Sequence, residues 1–185
     1  FHTTLNKLNQ IIDSQHNFSS AFSILALTDS LSVQRKSSYI LNIYKNPAMS
    51  SLGPILKRAR QKKIRIGYFS ADFHNHATTY LIAQLLESHD KSHFEIFGFS
   101  LCPIKFDEMQ LRVSSAFDQF IDVSRKTDLE VLEISRSLCI DIAIDLKGYT
   151  QNSRPKIFVN KCAPIQVNFL GYPGTLGASH YDYII

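Results

Sequence analysis

The stretch IRIGYFS at residues 64–70 and the stretch ADFHNHATTY at residues 71–80 together indicate the fold class of this chain. The first stretch is a nearly continuous run of apolar, β-branched and aromatic side chains. Such a run is typical of a strand that is covered on both faces of a parallel sheet. The second stretch is polar at first and then takes on a helical pattern. A strand that leads through a polar loop into a helix is the unit from which α/β folds are built.

The same alternation of strand and helix continues along the rest of the chain. Thr127 and Glu130 have the spacing of a capping box, which marks the start of one helix. The alternation predicts parallel strands joined by crossover helices, and therefore the α/β fold class. The further predicted strands are 94–101, 120–123, 140–146 and 165–170, and the predicted helices lie near 77–89, 107–116, 128–138 and 152–159.

The first part of the chain differs, because it has helical periodicity and almost no strand signal. Apolar residues recur there at steps of three and four, as in amphipathic helices, namely Leu5, Leu8, Ile11 and Ile12, then Ile40, Ile43 and Tyr44. The expected organisation is a helical lead-in segment at 1–62 and an α/β unit at 63–185. The chain opens on Phe1 and stops within an expected strand at 183–185. We therefore expect it to be part of a longer polypeptide, with an α/β unit that is incomplete at its C-terminal end.

Composition and charge exclude several classes of protein. With 44% hydrophobic and 19% charged residues, the chain can form an ordinary core and is not disordered. Its 20 Lys and Arg exceed its 16 Asp and Glu by 20 − 16 = 4 charges. Six of the basic residues lie within residues 57–65. Because that stretch is short, we interpret it as a solvated charge run rather than a nucleic-acid footprint.

The cysteines and the lack of targeting signals indicate a compartment. The three cysteines, Cys102, Cys139 and Cys162, are odd in number and widely spaced, which predicts free thiols in a reducing environment. Nothing resembles a signal peptide, and no apolar run approaches the roughly 20 residues needed to span a bilayer. We expect a cytoplasmic protein without membrane or nucleic-acid partners.

Ligands of open α/β sheets bind beyond the carboxyl ends of the strands, and the first loop there contains His74 and His76. A metal site would need more ligands than these histidines and the adjacent Asp72, so we disfavour it. A neutral imidazole could accept the proton of a substrate hydroxyl, since its ordinary pKa of about 6.5 lies near working pH. The structural alternative is a histidine that caps the following helix or bonds a neighbouring carbonyl.

Two further loops follow the strands at 140–146 and 165–170. In the first, the period of a strand predicts that Asp141 and Asp145 line one face, with Lys147, Gly148 and Thr150 beyond them. The alternative for Asp145 is a structural ion pair with Lys147 or Arg154.

The second of these loops contains Pro173-Gly174, which predicts a type II turn with positive φ at Gly174. Its amides could approach a phosphate or a sugar, but a plain tight turn is the simpler interpretation. Neither a dinucleotide fingerprint nor a Walker loop is present in the sequence.

The three loops, taken together and in this order, resemble a known enzyme family. The stretches on which this resemblance rests are RIGYFSADFHNH at 65–76, DLKGYT at 145–150, APIQVNFLGYPGT at 163–175 and YDYII at 181–185. They are similar to the catalytic region of protein O-linked N-acetylglucosamine transferases and their SPINDLY-like relatives.

The resemblance implies the N-terminal, Rossmann-like half of a GT-B glycosyltransferase. Such enzymes are inverting, need no metal, and move a sugar from a nucleotide diphosphate donor, here UDP-GlcNAc, to a Ser or Thr hydroxyl of a protein. Tetratricopeptide repeats precede the catalytic region in the family, and a second half supplies most contacts to the uridine nucleotide. The resemblance therefore implies a nucleotide-sugar donor, protein acceptors, the missing C-terminal half as partner, and no further cofactor. The fragment alone is expected to be inactive.

Residue by residue, the resemblance assigns His76 to the family's active-site histidine, which faces the sugar and has been considered as a general base. Thr150, with Gly148 and Tyr149, falls on the loop that reaches the donor sugar. The family's turn near the cleft corresponds to Gly171, Tyr172, Pro173 and Gly174.

The sequence departs from the family at three positions. Some members have a second histidine at the position of Tyr80, and others have asparagines in place of Asp145 and Lys147. These departures leave N-acetylglucosamine, fucose and glucose open as the donor sugar. A non-catalytic α/β module that binds a ligand or a protein through the same loops is the alternative function.

Overall fold

The computed structural model describes residues 21–47, 53–55, 59 and 61–185. The predicted helix with Leu5, Leu8, Ile11 and Ile12, and three residues of the basic stretch 57–65, lie outside the described residues. The helices of the described part are not both long and apolar enough to cross a membrane.

A parallel sheet of six strands forms the centre of the described part, in the order β3-β2-β1-β4-β5-β6. This confirms the predicted α/β fold class and its Rossmann-like sheet. The chain builds the sheet outward in one direction from β1 to β3, then returns to the other side of β1. The strands are β1 (Ile64–Ser70), β2 (Phe94–Ser100), β3 (Gln119–Asp122), β4 (Ile142–Asp145), β5 (Ile165–Asn168) and β6 (Tyr183–Ile184).

Helices precede the sheet and connect its strands. Thr127 and Glu130 form the predicted capping box, with both reciprocal hydrogen bonds present. The helix predicted near 152–159 is shorter than expected, because Pro155 disfavours helical backbone in the residue before it. The helices are α1 (Ala21–Leu27), α2 (Leu31–Lys45), α3 (Ala77–Glu87), α4 (Glu108–Ala116), α5 (Asp128–Ser137) and α6 (Lys156–Val159).

Side chains that alternate along the strands build a core on each face of the sheet. On one face Phe69 and Phe99 stack with their ring centroids 4.2 Å apart, next to residues of α5 and α6. On the other face Tyr68 and Ile96 pack against α3 and α4. Burial on both faces explains why the strands are nearly continuous apolar runs.

A third apolar cluster connects the lead-in helices to the loops at the carboxyl ends of the strands. Ile24 of α1 and Leu41 of α2 belong to this cluster, together with Tyr149, Tyr172 and Leu176. The loops after β4 and β5 are therefore sandwiched between the sheet and the lead-in helices.

Candidate active site

The strand order reverses between β1 and β4, so the loops after these two strands flank the topological switch point, where ligands of such sheets bind. We name residues 71–76 the β1 loop, residues 146–155 the β4 loop and residues 169–177 the β5 turn. Phe69 and Asp145 are register partners near the ends of β1 and β4, which brings the two loops side by side.

His76 ends the β1 loop and is the N-cap of α3. Its backbone is extended, with φ −149° and ψ 148°, and its Nδ1 accepts the Thr78 backbone N–H at 3.2 Å. The structural alternative of a capping histidine is thus confirmed. The cap uses only Nδ1, so the neutral ring carries its proton on Nε2. The side chain is 43% exposed, and Nε2 is the nitrogen that remains for a ligand.

Asp72 lies beneath His76 and is the residue of this site that sequence reasoning undervalued. Its carboxylate is nearly buried, accepts the Lys147 ammonium at 2.5 Å and lies 3.7 Å from the Nδ1 of His76. From its position in the sequence, Asp72 is a candidate only for metal binding. The available signal was a carboxylate shortly after one buried strand and a lysine shortly after the neighbouring strand. Buried charges are generally paired, so these two residues were candidates for an ion pair.

Asp145 anchors the start of the β4 loop. Its carboxylate accepts the backbone N–H of Lys147 at 2.8 Å, the N–H of Gly148 at 3.1 Å and the Tyr181 hydroxyl at 2.5 Å. Burial raises the pKa of the Asp145 carboxyl, and these three hydrogen bonds oppose the rise. Burial also raises the pKa of Tyr181 well above its ordinary value, and the Asp145 charge adds to that rise.

The structural alternative of an ion pair for Asp145 is wrong. The ammonium of Lys147 pairs with Asp72, and the guanidinium of Arg154 pairs with Asp128 at 2.6 Å, so neither side chain pairs with Asp145. Asp141 precedes β4 and accepts the Arg65 backbone N–H at the amino end of the sheet. Asp141 and Asp145 therefore lie at opposite ends of β4, and only Asp145 lies at the loops that flank the switch point.

The β4 loop continues through Gly148, Tyr149 and Thr150. Gly148 has a positive φ of 53°, and a Cβ there would lie 2.5 Å from the Cβ of Tyr172, so only glycine fits. Tyr149 donates its hydroxyl to the Leu176 carbonyl at 2.8 Å, and Thr150 donates to the Lys147 carbonyl at 2.9 Å. Tyr149 and Thr150 also line a cavity of about 620 Å³ between the β4 loop and the lead-in helices.

The β5 turn packs directly on the β4 loop. A Cβ on Gly171 would lie 1.8 Å from the Leu146 carbonyl oxygen, and the Tyr172 ring meets the Tyr149 ring at 5.6 Å. Pro173 is exposed. Gly174 does not have positive φ, so the predicted type II turn is wrong. Its small size instead admits Leu25 of α1, whose Cδ2 would lie 2.8 Å from an added Cβ.

The structure thus brings His76, Lys147 and the β4 loop together, while Pro173 and Gly174 lie toward the lead-in helices. The second histidine of the β1 loop, His74, contacts the His76 ring at 5.7 Å between centroids and the Lys105 ammonium at 3.1 Å. Within the described ranges, no three His, Cys, Asp or Glu side chains are grouped as metal ligands.

Comparison with known proteins gives the family of this chain. Residues 39–185 match the sequence model of glycosyl transferase family 41. The chain is 36% identical over 132 residues to "Probable UDP-N-acetylglucosamine--peptide N-acetylglucosaminyltransferase SEC" of Arabidopsis thaliana, which covers 71% of this chain and 14% of that protein. It is 37% identical over 125 residues to UDP-N-acetylglucosamine--peptide N-acetylglucosaminyltransferase of Caenorhabditis elegans, which covers 67% of this chain and 11% of that protein.

A solved structure has the same fold. A mutant of the Thermobaculum terrenum O-GlcNAc transferase superposes with a TM-score of 0.78 at 24% identity, over 96% of this chain and 36% of that chain. The chain therefore spans a small part of the length of the relatives that it matches. Because the family model covers most of the chain, including all three loops, the chain belongs to glycosyl transferase family 41.

Proposed function

We propose that this chain is part of an inverting glycosyltransferase that moves N-acetylglucosamine from UDP-GlcNAc to Ser or Thr hydroxyls of proteins. The observation that carries this proposal is family membership over residues 39–185, a span that contains the β1 loop, the β4 loop and the β5 turn. The names of the relatives supply the substrate class, since they are peptide N-acetylglucosaminyltransferases. Under this proposal, residues 1–62 are a lead-in segment and residues 63–185 are the N-terminal half of a catalytic region in the cytoplasm.

In the proposed reaction, the oxygen of the acceptor hydroxyl forms a bond to C1 of the sugar as the bond from C1 to the diphosphate breaks. UDP leaves with the electron pair, and the hydroxyl proton passes to a base. A hydroxyl is a weak nucleophile, so positioned hydrogen bonds at the reacting groups carry much of the rate. The reaction needs no metal under the family mechanism.

We assign the catalytic role to His76, which would contact the reacting groups through Nε2. In the capping tautomer Nδ1 is occupied and Nε2 carries the proton, so His76 donates a hydrogen bond that orients an oxygen of the sugar or of the acceptor, and the hydroxyl proton passes to a base other than His76. Thr150, Tyr149 and Gly148 form the wall toward the donor sugar. Asp145 and Lys147 support that wall from beneath, since both side chains are buried.

The β5 turn supports the β4 loop from behind. Gly171 and Tyr172 pack against the β4 loop, and Pro173 and Gly174 continue the turn toward α1. These residues act on the donor through the shape of the β4 loop.

The test separates the capping role of His76 from its catalytic role. Asparagine is a good N-cap, so His76→Asn keeps the cap of α3 while it removes Nε2 of the imidazole. In the full-length enzyme, we expect His76→Asn to lower peptide glycosylation by about 10²-fold or more, with an unchanged melting temperature. His74→Asn is the matched control in the same loop, and its turnover should stay close to wild type.

Mass spectrometry of an acceptor peptide with UDP-GlcNAc measures the transfer. Near-wild-type turnover of His76→Asn would remove His76 from the catalytic role. If the full-length protein binds UDP-GlcNAc without any transfer, it is the non-catalytic binding module instead. The chain of 185 residues alone should transfer no sugar, because it spans 14% of a full-length relative, and detectable transfer would contradict this expectation.

A further inference from the structure

A buried ion pair connects the two loops that flank the switch point. Lys147 is 4% exposed and Asp72 is 7% exposed, although they are 75 residues apart in the chain. Charged side chains are rarely buried to this degree, and such pairs generally cost desolvation free energy.

Both partners are oriented by their own backbones. The Asp72 backbone N–H donates to the Ser70 hydroxyl at 3.0 Å, and its carbonyl accepts the Thr79 hydroxyl of α3. The Lys147 backbone N–H donates to Asp145 at 2.8 Å. The carboxylate and the ammonium are thus presented to each other by two rigid loop starts, not by chance contact of flexible side chains.

Lys147 and His76 compete for the same carboxylate oxygen. Oδ2 of Asp72 lies 2.5 Å from the Lys147 ammonium and 3.7 Å from Nδ1 of His76. At 3.7 Å, Nδ1 makes no hydrogen bond to the carboxylate and instead accepts the Thr78 backbone N–H at 3.2 Å. If Lys147 were absent, an uncompensated carboxylate would draw a proton onto Nδ1, and the helix cap would be lost.

The other charged groups around His76 do not replace Lys147. The His74 ring contacts the His76 ring, and the Lys105 ammonium contacts Nε2 of His74 at 3.1 Å. Asp107, the N-cap of α4, accepts the Asn75 backbone N–H of the β1 loop at 2.8 Å and the Gln110 backbone N–H of its own helix at 2.9 Å. Among the described residues, the Lys147 ammonium is the cation that contacts Asp72 directly.

We propose that Lys147 is a positioning residue for His76: by pairing with Asp72, it keeps Nδ1 of His76 as the acceptor in the helix cap and the ring proton on Nε2. This inference rests on the proposed function for its consequence in catalysis. It also gives a role to Lys147, at a position where other members of the family have asparagine. A lysine there controls the hydrogen-bonding direction of the histidine without touching the substrate.

The experiment compares Lys147→Met, Asp72→Asn and the double variant in the full-length protein. Lys147→Met leaves Asp72 without its cation, so we expect kcat to fall by about 10²-fold, with a smaller change in KM, because the imidazole is misplaced. The double variant has no carboxylate to attract the proton, so its kcat should return to within a few-fold of wild type. Lys147→Arg keeps the charge and should recover part of the activity.

A spectroscopic readout makes the test independent of activity. In protein labelled with ¹⁵N-histidine, Nδ1 of His76 should be unprotonated in the wild type and in the double variant, but protonated in Lys147→Met. His76→Asn identifies the resonance by removing it. Arg112→Met is the matched control, since it breaks an exposed ion pair with Glu87 that joins the same helix α3 to α4.

The outcomes separate the two proposals. If kcat of the double variant stays as low as that of Lys147→Met, or if Nδ1 remains unprotonated in Lys147→Met, the positioning role is overturned. If the wild type transfers no sugar, the proposed function fails, and the ¹⁵N measurement still decides the role of Lys147. A melting temperature that falls in Lys147→Met and recovers in the double variant, with no change in tautomer, would indicate a purely structural pair.

Discussion

The β1 and β4 loops are held together by buried charge, whereas the β5 turn is held by apolar and aromatic packing. In the first region, Asp72, Lys147 and Asp145 are all nearly buried. Asp72 and Lys147 pair across the switch point, and Asp145 accepts two backbone amides of the β4 loop and the Tyr181 hydroxyl. In the second, Tyr172 and Gly174 pack against Tyr149 and the lead-in helix α1.

The two regions are destabilised by different kinds of substitution. A region held by charge fails when one partner is removed, because the remaining group stays buried without compensation. A packed region fails when volume is added or removed, because the neighbouring atoms have no free space to move into. The candidate site lies where the two regions meet, so its geometry depends on both.

The largest effect is expected where the packed region touches the backbone of the charged one. Gly171→Ala would place its Cβ 1.8 Å from the Leu146 carbonyl oxygen, and main-chain atoms cannot move aside locally. We expect the free energy of unfolding to fall by about 3 kcal/mol or more, as measured by urea denaturation. Gly53→Ala is the control, since nothing lies within 4 Å of an added Cβ there. Equal effects of the two variants would mean that the two loops are not in close contact.

A smaller effect is expected when the charged region loses its anchor. Asp145→Ala leaves two backbone amides and the Tyr181 hydroxyl without their acceptor, so we expect a loss of about 2 kcal/mol in the same measurement. Asp122→Ala is the matched control, because Asp122 also is the last residue of its strand and accepts the N–H two residues later, but at the surface. A loss no greater than that of the control would show that burial does not strengthen this anchor.

The smallest effect concerns His180, which follows the β5 turn. Burial lowers the pKa of His180 from about 6.5 to about 4, and the nearby Lys161 adds to this lowering. The unfolded chain therefore binds a proton at higher pH than the folded protein, and stability is lost as pH falls from about 6.5 to about 4. Because the side chain is partly exposed, we expect a loss of about 1 kcal/mol over this interval.

His180→Gln tests this assignment, since glutamine does not titrate. The difference in urea midpoint between pH 7 and pH 4.5 should be smaller in the variant than in the wild type. An identical pH dependence of the two proteins would assign the acid sensitivity to other groups.

Local patterns were sufficient to predict much of this molecule. The strands, the parallel sheet, the capping box of Thr127 and Glu130 and the capping alternative for His76 all depend on residues close in sequence. Predictions failed where the deciding neighbour was distant. The Pro173-Gly174 pattern predicts a turn with positive φ at Gly174. The structure instead requires a small residue there, because the side chain of Leu25 of α1 packs against it.

By itself, the sequence determined the fold class and the positions of the three loops, because periodicity and capping residues act on the backbone nearby. The pairing of Lys147 with Asp72, and the hydrogen bond from the Tyr181 hydroxyl to Asp145, follow only from the folded chain. The reversal of strand order between β1 and β4 brings Asp72 and Lys147 together, and the order β4-β5-β6 places Tyr181 near Asp145. Charged side chains that are buried there are paired, because an unpaired buried charge costs a large free energy of desolvation.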